Sequence, residues 1–110
     1  AERQPLEEYT LALLMRYPDF RPAASPLNEE HFQWPENRAV FTAWRDWSIM
    51  EELRSSLDEE LQDHLNHLLS QELPPIDARK RSDDFAQCLR RLEERRLREL
   101  QRQLADSFFL

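Results

Sequence analysis

Residues 77–108 read DARKRSDDFAQCLRRLEERRLRELQRQLADSF, and this stretch decides the fold. It contains no proline and no glycine, so it predicts one uninterrupted helix that starts from a cap at Asp77. With Phe85 set to zero on a helical wheel, a first apolar stripe lies between about −60° and +40°. A second stripe lies between about +60° and +120°. The first stripe consists of Phe85, Cys88, Leu89 and Leu92, and the second of Leu97, Leu100 and Leu104.

The two stripes predict two packing environments for one helix. Arg96 stands where the first stripe would place its next leucine. The first half should therefore pack on the chain's own body, so we predict a helical body over 1–92 and the stem of a long helix over 93–110. Exposed apolar rows are unusual on a monomer, so the stem should bind a partner or a second copy of the chain. The candidate partner-binding residues are Arg96, Leu97, Leu100, Leu104 and Phe108.

The composition indicates one all-α domain without a cofactor. A chain of 110 residues buries roughly 65% of its unfolded surface and needs no metal or disulfide to fold. The absence of glycine excludes the glycine-rich phosphate-binding loops. Leucines at helical spacing predict a compact bundle of about five helices with a long C-terminal helix extending from it. One cysteine, no signal peptide and no apolar run of membrane length indicate a cytoplasmic protein with no membrane partner.

The charge is unevenly distributed along the chain. Residues 1–76 contain six basic and fifteen acidic side chains, a net −9, whereas 77–110 contain nine basic and seven acidic side chains, a net +2. Nucleic-acid binding needs positive potential on the contact face, so the acidic body argues against more than weak binding. The arginine-rich terminal helix leaves a nucleic-acid-binding helical module as an alternative.

Prolines and capping residues predict where the helices of the body begin. Pro5 and Pro35 stand at first helical positions, and Asp58 precedes a run of well-spaced leucines. Ser48 and Glu51 form a capping-box pattern, which predicts a short helix over 49–54. One apolar residue from each long helix should be buried together with the others, and these residues are Leu13, Phe41, Leu65 and Leu89.

No group of side chains predicts catalysis or metal binding. His64 and His67 are three residues apart on a helix, but no cysteine or carboxylate stands at ligand spacing, so we predict no metal site. Cys88 lies on an apolar stripe and is interpreted as a core residue rather than a nucleophile. The tryptophans are interpreted as core residues, with one of the last two as a candidate rim aromatic: Trp34, Trp44 and Trp47.

Four segments, in chain order, resemble the helicase-binding domain of bacterial DnaG-type primases. The run EYTLALLMRYP at 8–18 resembles its opening helix, and HFQWPENRAVF at 31–41 resembles its second element, F-x-x-P-E-x-R-x-x-F. The run LDEEL at 57–61 resembles the third element, and CLRRLEERRLREL at 88–100 resembles the arginine-rich linker helix. The resemblance covers nearly the whole chain.

The resemblance implies a replication adaptor rather than an enzyme. In that family a helical body and a helical hairpin contact the hexameric DnaB-type helicase, while primer synthesis belongs to separate zinc-binding and Toprim-containing domains. This chain resembles the body and the stem of the linker helix without the final hairpin helix. We therefore expect a non-catalytic piece of a DNA primase that binds the replicative helicase and couples primer synthesis to the replication fork.

Two further readings stay open beside the nucleic-acid-binding module. The N-terminal domain of the DnaB-type helicase has the same fold, so the chain is also compatible with the helicase itself. A free-standing helical enzyme is the other alternative, although no catalytic or cofactor-binding residue is predicted for it.

Overall fold

The computed structural model describes residues 4–108. Within that range the chain forms five α-helices and no strand, which confirms the predicted all-α class with a long C-terminal helix. The helices are α1 (Pro5–Arg16), α2 (Pro35–Asp46), α3 (Met50–Ser56), α4 (Glu59–Ser70) and α5 (Ala78–Phe108). Three short 3₁₀ turns connect α1 to α2: Pro18–Phe20, Pro22–Ala24 and Glu29–His31.

The helix starts follow the predicted signals, with one exception. Pro5 and Pro35 occupy the first positions of α1 and α2. The carboxylate of Asp58 accepts the backbone N–H of Leu61 at 2.9 Å, and Asp77 caps α5 in the same way. The capping box at Ser48 is wrong, because α3 begins at Met50 after Ile49 and has no side-chain cap. The N-cap residue is Ile49, so Ser48 lies one position before the cap and its hydroxyl does not cap the helix.

Helix α1 lies at the centre of the body. It contacts α2, α4 and α5, and its residues 10–15 are all buried. Leu11 and Ala12 are fully buried, as are Leu13 and Leu14 to within 2%, because neighbours cover α1 on several sides. The helix is therefore the common packing partner of the three other long helices.

Three of the four residues predicted to be buried together are in the core. Leu13, Phe41 and Leu65 belong to one apolar cluster and expose at most 1% of their surface. Leu89 is only partly buried against that cluster, so its predicted full burial is wrong. It lies at about +40°, at the edge of the first stripe of α5, and is followed by the exposed Arg90.

The tryptophans divide between core and surface. Trp44 is buried and packs beside Phe41, with the guanidinium of Arg21 4.0 Å above its ring. Trp34 is half-buried, and Trp47 is 41% exposed where α2 ends. Trp47, rather than Trp44, is thus the accessible aromatic residue of the predicted pair.

The first half of α5 packs on the body as predicted. Phe85, Cys88 and Leu92 are buried, and the ring of Phe85 stacks on that of Phe20 with centroids 4.4 Å apart. The helix continues unbroken to Phe108, so nothing bends the second half back onto the body. Among the described helices, none is both long enough and apolar enough to cross a membrane.

Candidate docking surface

The second half of α5 exposes a row of large apolar side chains. Leu97, Leu100 and Leu104 are 46%, 37% and 61% exposed, and Phe108 is 87% exposed. We call these four residues the tail row. Their exposure is what the turned stripe predicts, whereas their role in binding a partner stays a prediction, as does the boundary between 92 and 93.

Arg96, the fifth candidate partner-binding residue, is engaged within the chain. Its guanidinium pairs with Glu93 one turn earlier on α5, and it lies 3.8 Å from a carboxylate oxygen of Glu30. Glu93 also meets the Nε2 atom of buried His31 at 2.6 Å. The hydrogen bonds from Arg96 and then from His31 lower the pKa of Glu93 to about 2. The contact between Glu93 and buried His31 therefore joins this part of α5 to the body, and Arg96 supports Glu93 from within the helix.

A buried carboxylate beside this ion pair holds α5 in place. Glu7 is fully buried, and its two oxygens accept the backbone N–H groups of Gln33 and Trp34 at 2.8 and 3.2 Å. The side-chain amide of Asn37 donates to it at 3.0 Å, and the guanidinium of Arg95 pairs with it. This arrangement joins α1, the start of α2 and α5 at the point where α5 leaves the body.

Sequence reasoning missed this buried cluster. An acid in the first turn of a helix is usually explained by the helix dipole and solvent, so Glu7 gave no signal of burial. The available signal was the arginine run on α5, which the sequence analysis considered only as a possible nucleic-acid-binding face. Arg95 in that run turns inward: it also donates to the backbone carbonyl of His31 at 3.0 Å.

Two surface grooves share Arg38, and the first of them also contains Leu100 of the tail row. The first, of about 480 Å³, lies between α5 and the segment leading into α2. The second, of about 530 Å³, lies across α2 and faces α3 and α4. The first is lined partly by Glu30, Arg38, Glu99 and Leu100, and the second partly by Arg38, Trp47, Leu57 and Leu61.

The side chains considered for metal binding or nucleophilic chemistry, His64, His67 and Cys88, contact neighbouring residues or are buried. His64 contacts Asn37 Oδ1 at 2.6 Å, and His67 lies 3.3 Å from a carboxylate oxygen of Glu8. Within residues 4–108 no three side chains of His, Cys, Asp or Glu are arranged to hold a metal ion. Burial raises the pKa of the Cys88 thiol, which makes it a poor nucleophile.

The accessible features of the described residues are apolar and aromatic side chains beside charged grooves. An exposed apolar row, an accessible tryptophan and arginine-lined grooves are the chemistry of a protein-docking surface. Comparison of the chain with protein-family models, with curated proteins and with solved structures gives no significant match. The functional conclusion therefore depends on the residues and contacts described above.

Proposed function

We propose that this chain is a non-catalytic, cytoplasmic protein-interaction domain of a bacterial DNA primase that binds the DnaB-type replicative helicase. Binding would couple primer synthesis to the replication fork and would need no cofactor in this domain. The observation that supports docking is the tail row, which extends from the body on an unbroken helix. The helicase as partner is supported by the four segments that resemble the primase family.

The tail row supplies enough apolar surface to matter in binding. Burying a fully exposed leucine or phenylalanine side chain is worth about 1.5–3 kcal/mol. Four such side chains, each exposed between 37% and 87%, therefore offer several kcal/mol before the costs of association. Leu97 and Phe108 are eleven residues apart, so the row is about 16 Å long. That length fits contact with one or two helices of a partner.

Two of the segments that resemble the primase family, 8–18 and 31–41, pack together in this fold. Phe32 and Phe41, the two aromatic ends of F-x-x-P-E-x-R-x-x-F, stack with ring centroids 4.7 Å apart and are both buried. They pack in the same apolar cluster as Leu11 and Leu14 of the opening run. The motif thus has a structural reason for its spacing, which supports reading these segments as one unit.

The test compares binding of the wild-type chain and of Leu100→Glu to the DnaB-type hexamer from the same source. Leu100→Glu places a charge in the middle of the tail row, so the affinity should fall at least about tenfold. Its melting temperature should stay close to that of the wild type, because Leu100 is 37% exposed and is not part of the buried core. Ala105→Glu is the matched control, since it adds the same charge at an exposed position five residues further along the same helix, about 60° or more around the axis from each residue of the row.

Three results would contradict the proposal. Absence of wild-type binding to the hexamer would reject the helicase as partner. Unfolding of the body by Leu100→Glu would show that the row is ordinary core. Salt-sensitive retention on DNA together with no helicase binding would favour the nucleic-acid-binding module instead.

A further inference from the structure

The groove across α2, which we call the α2 groove, is a largely apolar cleft that the chain's own tail does not cover. It follows α2 from Pro35 to Trp47, and residues at the end of α3 and the start of α4 form its other side. Ala39, Thr42 and Ala43 contribute small side chains to it, which leave room for another helix to approach. No residue of α5 among those described lines this groove.

The α2 groove and the tail row have the same length. Helix α2 has 12 residues, and the row occupies the twelve residues from Leu97 to Phe108. Each is therefore about 16 Å long from its first residue to its last. The residues of the row are spaced three, four and four positions apart, which forms the continuous ridge that a groove between helices accepts.

Both surfaces also have zero net charge. Residues 97–108 contain two arginines, one glutamate and one aspartate, and Arg102 pairs with both acids. The α2 groove contains one cation and one acid, Arg38 and Asp46. A second copy of this chain can therefore bring its tail to the groove without net charge at the contact, although each chain carries a formal net charge of −7.

The tail row and the α2 groove belong to adjoining parts of the surface. Arg38 lines the α2 groove and also the groove that contains Leu100. Two copies related by a two-fold axis near Arg38 can each place the tail row against the other's α2 groove. Such a contact uses the same residues in both copies, so it closes as a dimer rather than growing into a filament.

We propose that this chain forms a reciprocal dimer in which the tail row of each copy packs in the α2 groove of the other. Two contacts, each about 16 Å long and roughly 10 Å wide, bury on the order of 1,000 Å² when both sides are counted. That area is at the small end of specific interfaces, so the dimer is expected to be weak and reversible. It would cover the row proposed to bind the helicase, so a helicase and a second copy would compete for that row.

Sedimentation equilibrium of the free chain between about 10 and about 500 µM measures the dimer, whose dissociation constant should lie in that range. Leu104→Glu puts a charge into the tail row, and Thr42→Arg puts one into the α2 groove. Each should weaken the dimer at least about tenfold. Both variants should keep the melting temperature of the wild type, because neither residue is in the buried core.

An equimolar mixture of the two variants tests the reciprocal arrangement. Leu104→Glu keeps an intact α2 groove and Thr42→Arg keeps an intact tail row, so a mixed pair has one unaltered contact. Its second contact brings the new carboxylate and the new guanidinium together. The mixture should therefore dimerise at least about tenfold more tightly than either variant alone.

Ala105→Glu and Ser82→Arg are the matched controls for the two charge changes. Ala105 is exposed on the tail but outside the row, and Ser82 is exposed on the first half of α5, about 22 Å of helix from Leu97. Both controls should dimerise within about twofold of the wild type. Losses in the controls equal to those in Leu104→Glu and Thr42→Arg would attribute the effect to added charge and reject the contact.

Three other results would also overturn the dimer. A wild type that remains monomeric at about 500 µM rejects it. A Thr42→Arg chain that dimerises like the wild type, while Leu104→Glu does not, shows that the rows pair with each other and leave the α2 groove empty. A mixture that is no tighter than its components rejects the exchange. This inference goes beyond the proposed function, and its failure leaves the hexamer-binding test unaffected because no helicase is present.

Discussion

The two halves of α5 have similar leucine content and opposite environments. In the first half Phe85 and Leu92 expose 2% and 0% of their surface, whereas in the second half Leu97 and Leu104 expose 46% and 61%. The same helix continues through both without a break. The comparison shows that helical periodicity fixes which residues share a face, while burial depends on whether another element lies against that face.

A polar junction separates the two halves. The buried Glu7 holds Arg95, and Glu93 holds Arg96 while contacting His31. Just beyond these contacts the apolar stripe changes direction and the body ends. The junction therefore fixes where α5 stops being part of the body and starts being a projecting helix.

The largest expected effect comes from weakening the polar junction at Glu7, which tests whether the junction holds α5 on the body. Glu7→Gln keeps the side-chain shape but leaves Arg95 without its buried counter-charge. Breaking a buried ion pair from one side costs about 3–5 kcal/mol, so the free energy of unfolding in urea should fall by that amount. Glu94→Gln, an exposed neighbour of Arg95 on the same helix, should change it by less than about 0.5 kcal/mol. Similar small losses for both variants would mean that the junction does not hold α5.

The next largest effect contrasts a core leucine with a tail leucine. Leu65→Ala removes a fully buried side chain and should lower the free energy of unfolding by about 2–5 kcal/mol. Leu104→Ala removes the same atoms from a side chain that is 61% exposed, and should cost less than about 0.5 kcal/mol. Chemical denaturation of the two variants tests the difference directly. A loss under about 0.5 kcal/mol for Leu65→Ala would contradict the packing of α4.

The smallest predicted effect is the pH dependence of the junction. The pKa of Glu93 in the folded chain is about 2, below its ordinary value of 4.5. The ionised carboxylate therefore stabilises the fold above about pH 4.5, and this contribution is lost as the pH falls toward about 2. Because the side chain is 40% exposed, solvent screening keeps the contribution below about 1 kcal/mol.

Glu93→Gln should accordingly reduce the loss of stability between about pH 5 and about pH 2.5. Urea unfolding at both pH values, with Glu94→Gln as the comparison variant, measures the two slopes. Identical pH dependence in the wild type and in Glu93→Gln would show that the contacts with Arg96 and His31 do not stabilise the charged form.

Much of the fold follows from local signals in the sequence. The start signals are proline at the first position of α1 and α2 and a carboxylate before α4 and α5. They act within one helical turn, so they can be predicted from the sequence without knowledge of tertiary contacts. The capping box at Ser48 failed because such a short helix is positioned by packing of Leu53, which is buried, rather than by its cap. Local signals decide helix ends only where packing does not override them.

The surroundings of the tail row were less predictable. The row itself appears as a rotated stripe, but the grooves beside it depend on residues about sixty positions apart, such as Arg38 and Leu100. Glu7 and Arg95 are 88 positions apart, and neither breaks a helical pattern. Such pairs are created by the crossing of helices, and one sequence contains no periodic signal of which helices cross.

The unbroken course of α5 also has a geometric consequence for how the chain can be lengthened or shortened. Each residue inserted between Arg96 and Leu97 would turn the leucines by 100° about the helix axis and shift them by 1.5 Å. An insertion of one residue would therefore point the leucines away from their present direction. An insertion of seven residues would return them to within about 20° of it. The direction in which the leucines point therefore limits changes of length here more than the distance that the helix extends from the body.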